Sequence, residues 1–463
     1  RIGVMFPLVT SRVAASDTRP RRSFRLSPAQ TIVAGFGLAD LVGTGLLMLP
    51  AATRDGEGAS FVHALFTSTS AVCVTGLVVV DTETYWTPLG HLVILALIQI
   101  GGIGIMVFAS LVGVLLARRL SVRSRVLAAT EAKALSLDDV RGVVRRIVVT
   151  SLLIEAALFL VLFPSFALRY GHGWAEGAWY ALFHSVSAFN NAGFALYADN
   201  LVRFAADPWV CLPICAAVIL GGLGFPVLMQ LRREIGRPLL WSMNTRLVLF
   251  GSVILLVGGT VYITALEWTN PATLGAYDPA ARVLIGFFHS VQTRTAGFNS
   301  IDVGAMHDET WLGMDVLMFI GGGPAGTAGG IKITTFAVLL FILVAELRGA
   351  GAVNIFGKRL SRAVHRQAIA VVLIAVGVVV ASTIALMIVT GGSLDRMLFE
   401  SVSAFATVGL STGVTADLPE AAEIILSLLM FVGRLGPLTI GTALALRERR
   451  VSYEFPKERP AIG

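Results

Sequence analysis

Long apolar segments dominate this 463-residue chain and limit the folds that are open to it. A helix needs roughly 20 mostly apolar residues to cross the hydrocarbon core of a bilayer. Seven continuous segments reach that length, and an eighth is interrupted by Gly and Pro: 32–52, 89–117, 143–168, 208–231, 247–266, 363–389, 421–446 and the interrupted 314–347. Only 14% of the residues are charged, too few to cover a soluble protein of this size. The sequence therefore predicts an all-α membrane protein embedded in a lipid bilayer.

Charge alternates along the chain between these segments. Basic residues cluster at 19–25, 118–146, 232–246, 348–366 and 447–459. Acidic residues occupy the alternate gaps: Asp55, Glu57, Asp81, Glu83, Asp199, Asp207, Asp302, Asp308, Glu309, Asp417 and Glu420. This is the pattern of the positive-inside rule. It predicts a multi-pass protein of the cytoplasmic (inner) cell membrane with both termini in the cytoplasm. It also accounts for the net charge of +7, so no nucleic-acid partner is expected.

Four short strings of the sequence match one another. Each begins with Phe, continues through small and polar residues, and ends in Gly followed by a bulky apolar residue. The terminal glycines are Gly76, Gly193, Gly297 and Gly409, separated by 117, 104 and 112 residues. A second glycine cluster follows each string, at Gly101, Gly221, Gly321 and Gly433. Small residues let helices pack closely in membranes, so this second set is predicted to admit neighbouring pore helices.

The repeat predicts four in-chain units, each built as outer helix, pore helix, extended pore loop and inner helix. Two crossings per unit give all four units the same orientation, so they can form a pseudo-fourfold ring around one pore. The predicted boundaries are 28–120 for unit A, 121–235 for unit B, 236–350 for unit C and 351–447 for unit D. A cytoplasmic arm at 1–27 precedes them, and a tail at 448–463 follows.

The loops that end the strings suggest a path for a cation. Non-helical backbone at membrane depth is tolerated only where it lines a cavity or is buried in protein. Rings of backbone carbonyls can replace a cation's hydration shell, and Thr407-Val408-Gly409 repeats the first three residues of the potassium-channel filter. We therefore expect potassium at the carbonyls of twelve filter residues: Val74, Thr75, Gly76, Asn191, Ala192, Gly193, Thr295, Ala296, Gly297, Thr407, Val408 and Gly409.

The inner helix of unit C cannot be continuous, because interior Gly and Pro cost about 1 and about 3 kcal/mol relative to Ala. The interruption falls below the predicted filter, so we expect it to form a gate: Gly323, Pro324, Ala325, Gly326, Thr327, Ala328, Gly329 and Gly330. It is not a nucleotide phosphate loop, since Ile331 separates Gly330 from Lys332.

Arg434 stands in the inner helix of unit D where the other units have a glycine. A buried guanidinium in a membrane faces a cavity or a partner. Arg434 is therefore predicted to belong to the gate, as an electrostatic barrier to cations, or else to be a structural partner for loop carbonyls. Asp40, Glu155 and Lys332 are further ionisable residues in apolar segments. The sequence assigns them no role.

The four strings, the sequence Gly-Gly-Ile-Lys at 329–332 and Gly-Arg-Leu-Gly-Pro at 433–437 resemble the Trk/Ktr/HKT superfamily of potassium transporters, most closely its Ktr membrane subunits. The resemblance covers about 25–463. It implies a homodimer with one pore per protomer, docked on a cytoplasmic ring of nucleotide-binding regulatory subunits. It implies potassium as the substrate, sodium as a possible activator and no cofactor in this chain. Gly76 resembles the potassium-selective members, and 325–330 with Arg434 matches the family's gate.

The expected function is therefore gated potassium uptake, stimulated by sodium. Two alternatives remain open: a Trk-type uptake subunit driven by protons or potassium, and the potassium-binding subunit of an ATP-driven pump. An enzyme is not expected, because the sequence shows no metal-ligand cluster or nucleophile–base pair at membrane depth.

Overall fold

The computed structural model describes residues 28–119 and 137–436. The predicted arm at 1–27 and tail at 448–463 lie outside the described residues, as do two of the predicted unit boundaries. Within the described ranges the chain is mainly helical, and outer, pore and inner helices follow one another four times. The predicted all-α membrane fold is thereby confirmed. The four successive sets of helices are units A to D.

The helices of each unit have the following bounds. Unit A has outer helix Pro28–Leu47, pore helix Phe61–Val72 and inner helix Pro88–Arg119; unit B has outer helix Leu137–Pro164 with a π-helical turn Ser165–Arg169, pore helix Gly173–Asn190, and inner helices Pro208–Leu223 and Phe225–Glu234. Unit C has outer helix Met243–Glu267, pore helix Pro279–Gln292, and inner helices Asp308–Phe319 and Ile333–Leu347; unit D has outer helix Arg362–Thr390, pore helix Leu394–Ala406 and inner helix Glu420–Leu435.

Short elements connect these helices. They are the helical turn Thr82–Tyr85, the 3₁₀ turns Pro50–Ala52, Val202–Phe204, Pro238–Leu240, Leu274–Ala276, Val303–Ala305 and Val414–Asp417, and the antiparallel strands Asn354–Ile355 and Lys358–Arg359. Side-chain caps fix several helix starts: Ser60 accepts a hydrogen bond from the His63 amide at 3.3 Å, and Ser242 from the Thr245 amide at 3.2 Å.

Five helices in the described part of the chain are long and apolar enough to cross a membrane, or six if one bent pair counts as a single span. The apolar segment predicted at 208–231 is not one continuous helix, because the two helices there meet at 100°. The bend falls at Gly224, which has φ of +90°, and Pro226 follows within the first turn of the second helix. The predicted break in 314–347 is confirmed between Phe319 and Ile333. The predicted segment 421–446 is described only in part.

The outer helices surround a buried centre of pore helices. Large apolar side chains of the outer helices, including Leu41, Leu153, Ile254 and Ile388, are exposed, as a lipid-facing surface requires. The Phe that begins each repeated string is fully buried: Phe66, Phe183, Phe288 and Phe399. Burying an aromatic side chain contributes strongly to a packed core. The strings recur because each pore helix is anchored by the same aromatic residue.

The second glycine set lets the inner helices approach the ends of the pore helices. A Cβ added to Gly101 would lie 1.9 Å from the Val72 carbonyl oxygen. A Cβ added to Gly221 would lie 2.1 Å from the Phe189 carbonyl oxygen, and one added to Gly433 would lie 1.7 Å from the Phe405 carbonyl oxygen. No real Cβ fits at such distances, so the packing role predicted for these glycines is correct in three units. In unit C, Gly321 meets the Gly329 carbonyl of the broken segment instead.

Candidate functional site

The four predicted filter loops meet in a closed ring. A Cβ built on each filter glycine would lie against a carbonyl oxygen of the next unit: Gly76 on Ala192 at 2.3 Å, Gly193 on Ala296 at 2.6 Å, Gly297 on Val408 at 2.2 Å and Gly409 on Thr75 at 2.1 Å. The order runs from unit A through B, C and D and returns to A. The units therefore surround one axis, with B opposite D and A opposite C.

The backbone of each loop repeats one unusual conformation. The first and third of the three filter residues have positive φ in every unit: Val74, Asn191, Thr295 and Thr407, then Gly76, Gly193, Gly297 and Gly409. An ordinary strand turns successive residues to opposite sides. Alternating the sign of φ turns successive backbone groups to one side, which a ring of carbonyl ligands requires. Three of the non-glycine residues are β-branched, for which positive φ is strained, and such strain concentrates at functional sites.

A polar side chain of each pore helix holds the loop behind the ring, and the sequence reasoning did not single out these four residues. Ser70 Oγ accepts from the Gly76 amide at 3.1 Å, and Ser403 Oγ accepts from the Gly409 amide at 3.1 Å. Ser187 Oγ donates to the Phe194 carbonyl at 2.7 Å. Gln292 Oε1 accepts from the amide of the residue after Gly297 at 3.3 Å. They share one position in the repeated strings, which is the signal that could have found them.

A second set of side chains fastens the chain as it leaves the ring. His184 Nε2 lies 3.4 Å from the Leu196 amide, and His289 Nε2 lies 3.4 Å from the Ser300 amide. At the equivalent place in unit D, Glu400 Oε1 accepts from the Thr412 amide at 2.9 Å. These buried groups brace the outer ends of three loops.

Replacing Ser70 and Ser403 together by alanine should lower both the melting temperature and the preference for potassium over sodium. Each change leaves a buried amide without its acceptor, and such a group costs about 1–3 kcal/mol. We expect a severalfold loss of preference, measured by competing sodium against potassium uptake. Ser382→Ala is the matched control, because Ser382 is also buried but bonds only its own helix at Val379, 2.9 Å away. An unchanged preference in the folded double variant would rule out this bracing role.

The broken segment of unit C runs along the inner end of the ring. The Gly323 amide donates to the Gly222 carbonyl at 2.7 Å, on the inner helix of unit B. The Thr327 hydroxyl lies 3.0 Å from the side-chain amide of Asn191, the first filter residue of unit B.

The other end of the segment reaches unit D. A Cβ added to Gly329 would lie 2.0 Å from the Thr407 hydroxyl, on the first filter residue of that unit. Gly330 also approaches unit D, with 3.2 Å from its added Cβ position to the Ala406 Cα. Units B and D are opposite each other in the ring. The segment therefore crosses beneath the axis.

Arg434 fastens this segment to the remaining units. Its guanidinium is buried and donates to the Thr327 carbonyl of unit C and, at 3.2 Å, to the Gly101 carbonyl of unit A. Arg434 is thus a partner of a loop carbonyl, and its predicted part in the gate stays a prediction. The same position beneath the ring also leaves its positive charge near the axis. Lys332 Nζ donates to the Ala328 carbonyl within the segment.

A vestibule of about 340 Å³ opens above the ring. It is lined by Gly76, Gly193 and Gly409 and by three aspartates, Asp81, Asp199 and Asp302. A cleft lined by charge of one sign raises the local concentration of ions of the other sign. The vestibule thus favours cations.

These features define a class of helical membrane proteins in which four pore-loop units surround one central axis. The chain belongs to the TrkH family, described as cation transport protein, which it matches over residues 3–451. The predicted resemblance to the Trk/Ktr/HKT superfamily is thereby confirmed. The family is one of transporters and not of enzymes.

The sequences of individual curated proteins support the same family. The chain is 40% identical to Ktr system potassium uptake protein B of Bacillus subtilis, covering 92% of this chain and 94% of the relative. It is 38% identical to the protein of the same name from Vibrio alginolyticus, covering 88% and 89%. It is 34% identical to the potassium/sodium uptake protein NtpJ of Enterococcus hirae, covering 95% and 98%.

A solved structure gives the same fold. The crystal structure of the potassium transporter TrkH from Vibrio parahaemolyticus matches with a TM-score of 0.73 at 18% sequence identity, covering 92% of this chain and 87% of that one. At this identity the likeness speaks for the fold alone.

Proposed function

We propose that this chain takes up potassium ions across the cell membrane through the ring of filter loops. The closed ring formed by the four glycines and the carbonyls of the neighbouring units carries this proposal. Four equivalent loops offer four oxygens at each level, and such rings can replace the hydration shell of potassium. The relatives from Bacillus subtilis and Vibrio alginolyticus are named potassium uptake proteins, which supports the same substrate.

Potassium binds, in this proposal, at the carbonyls of the twelve predicted filter residues. The acidic vestibule supplies cations from the outside, and the alternation of charge along the sequence favours cytoplasmic termini. Sodium acts as an activator and no cofactor is held by this chain. One relative, from Enterococcus hirae, is named a potassium/sodium uptake protein.

The segment 323–330 and Arg434 form the gate. Support comes from the route of the segment beneath the ring, between the first filter residues of units B and D. We propose that a cytoplasmic ring of nucleotide-binding subunits controls this gate and that the chain works as a homodimer. The names of two relatives place them in a "Ktr system", which agrees with a protein that works with further components.

Growth of a potassium-uptake-deficient bacterium at low potassium tests the proposal. The chain, expressed with a regulatory partner, should restore growth, and added sodium should raise the rate of potassium uptake. Rescue that sodium does not change would favour a Trk-type subunit. No rescue by membrane-inserted protein would contradict potassium uptake.

A further inference from the structure

A buried hydrogen-bond network joins the outer helix of unit B to the start of its filter loop. Gln99 Nε2, on the inner helix of unit A, donates to both carboxylate oxygens of Glu155, at 2.9 and 3.1 Å. Asn190 Nδ2 lies 3.1 Å from Glu155 Oε1 and 2.8 Å from Gln99 Oε1, and it also reaches the Val186 carbonyl at 2.9 Å. Three side chains from three helices thus close a triangle.

The acid in this triangle has no basic partner. Glu155 is only 5% exposed, and no Lys, Arg or His in the described ranges lies within ion-pair distance of it. An ionisable residue inside a membrane segment is costly, and it is a functional-site hypothesis by default. The carboxylate oxygens accept hydrogen bonds from two neutral side-chain amides, those of Gln99 and Asn190, beside the ring.

The packing around the triangle is too close for another arrangement. A Cβ added to Gly102 would lie 1.9 Å from Asn190 Oδ1, so the inner helix of unit A must have Gly where the Asn190 side chain sits. Asn190 is the last residue of its pore helix, and the next residue, Asn191, takes up the left-handed conformation that opens the filter loop. The position of Asn190 therefore decides where the unit B loop begins.

Residues next to the triangle in the chain contact the predicted gate. The Asn191 side chain lies beside Thr327, and the Gly101 carbonyl, two residues from Gln99, accepts from Arg434. The unit B filter start is thus held by the triangle on one side and by the gate on the other.

We propose that Glu155 is a positioning residue for ion selectivity. Its carboxylate fixes Asn190 and Gln99 against each other and so holds the unit B loop in register with the other three. Glu155 does not contact the ion. This inference rests on the proposed function, because it concerns the preference of the same ring.

Purified chain in liposomes provides the test, with the ratio of potassium to sodium uptake as the readout. Glu155→Ala should reduce this ratio about tenfold, because it leaves the Gln99 side-chain amide without its acceptor and removes one of the three acceptors of Asn190 Nδ2. Asn190→Ala should cause a similar loss. The double variant should lose no more than either single variant, since both break one triangle. Glu155→Gln keeps the size and one acceptor oxygen, and it should recover most of the ratio.

Glu267→Ala is the matched control. Glu267 is fully buried and accepts from Asn270, Thr273 and Thr310 at the end of the unit C outer helix, and none of these partners is a filter residue. It should lower the melting temperature and leave the ratio within about twofold of wild type. A folded Glu155→Ala protein with the wild-type ratio would overturn the proposal.

If Glu155→Ala does not fold, the uptake ratios of Asn190→Ala and Glu155→Gln test the inference instead. A wild-type ratio in Asn190→Ala then overturns the inference, and a loss in Asn190→Ala with a smaller one in Glu155→Gln supports it. Wild-type liposomes that take up no potassium would overturn the proposed function itself. The two failures are therefore distinguishable.

Discussion

Replacing Gly76 by serine should reduce the preference for potassium over sodium by about tenfold or more. Gly76 has φ of +92°, a conformation that strains other residues by roughly 1–3 kcal/mol. Its added Cβ would lie 2.3 Å from the Ala192 carbonyl oxygen of unit B, which is itself a predicted ligand. The loop or its neighbour must move, and the oxygens at that level no longer match potassium. Uptake of potassium under rising sodium, in liposomes that contain the purified variant, measures the effect.

Gly413→Ser is the control for this change. Gly413 also has φ of +92°, yet nothing lies within 4 Å of its added Cβ position. It therefore carries the same backbone strain without the contact across the ring. We expect Gly413→Ser to keep its preference for potassium. If Gly76→Ser also kept it, Gly76 would not belong to the filter.

Deleting 325–330 should raise the rate of potassium uptake about tenfold or more. The segment crosses beneath the ring, and its removal takes away the Thr327 and Gly329 contacts with units B and D. A barrier lowered by about 1.4 kcal/mol corresponds to a tenfold faster rate. Initial rates of uptake without any regulatory partner measure the effect directly.

Two further variants test whether the effect of the deletion comes from loss of the gate. Arg434→Ala removes the donor to the Thr327 carbonyl and should raise the rate in the same direction by a smaller factor. Arg348→Ala changes an exposed basic residue just after the inner helix of unit C and should leave the rate unchanged. A folded deletion variant with the wild-type rate would show that the segment is not a gate.

The repeated strings predicted most of the fold, because the buried Phe and the positive-φ Gly of each string are demanded by local geometry. The break in the unit C inner helix was also readable, since Gly and Pro act on their own helix. The bend at Gly224 could not be predicted from the sequence. Its added Cβ would lie 2.4 Å from the Pro324 carbonyl oxygen, so it depends on a contact with a segment 100 residues away in the chain.

The sequence predicted the loops that form the ring, but not the side chains that hold those loops in place. The need for glycine in the ring depends only on the backbone angles of that one residue, so the sequence can indicate it. Ser70 and Glu155 act through partners on other elements, and hydropathy records neither the partner nor the direction of a side chain. The role of Arg434 was left between two readings for the same reason, because its carbonyl partners come from units A and C.

The central claim is that potassium occupies the ring formed by the four filter loops. Anomalous diffraction from crystals of the chain soaked with rubidium or thallium, which substitute for potassium, tests it most directly. Anomalous peaks are expected on the axis, within coordination distance of the carbonyls of Thr75, Ala192, Ala296 and Val408. Peaks only in the vestibule, or an empty axis in a protein that still transports potassium, would contradict it.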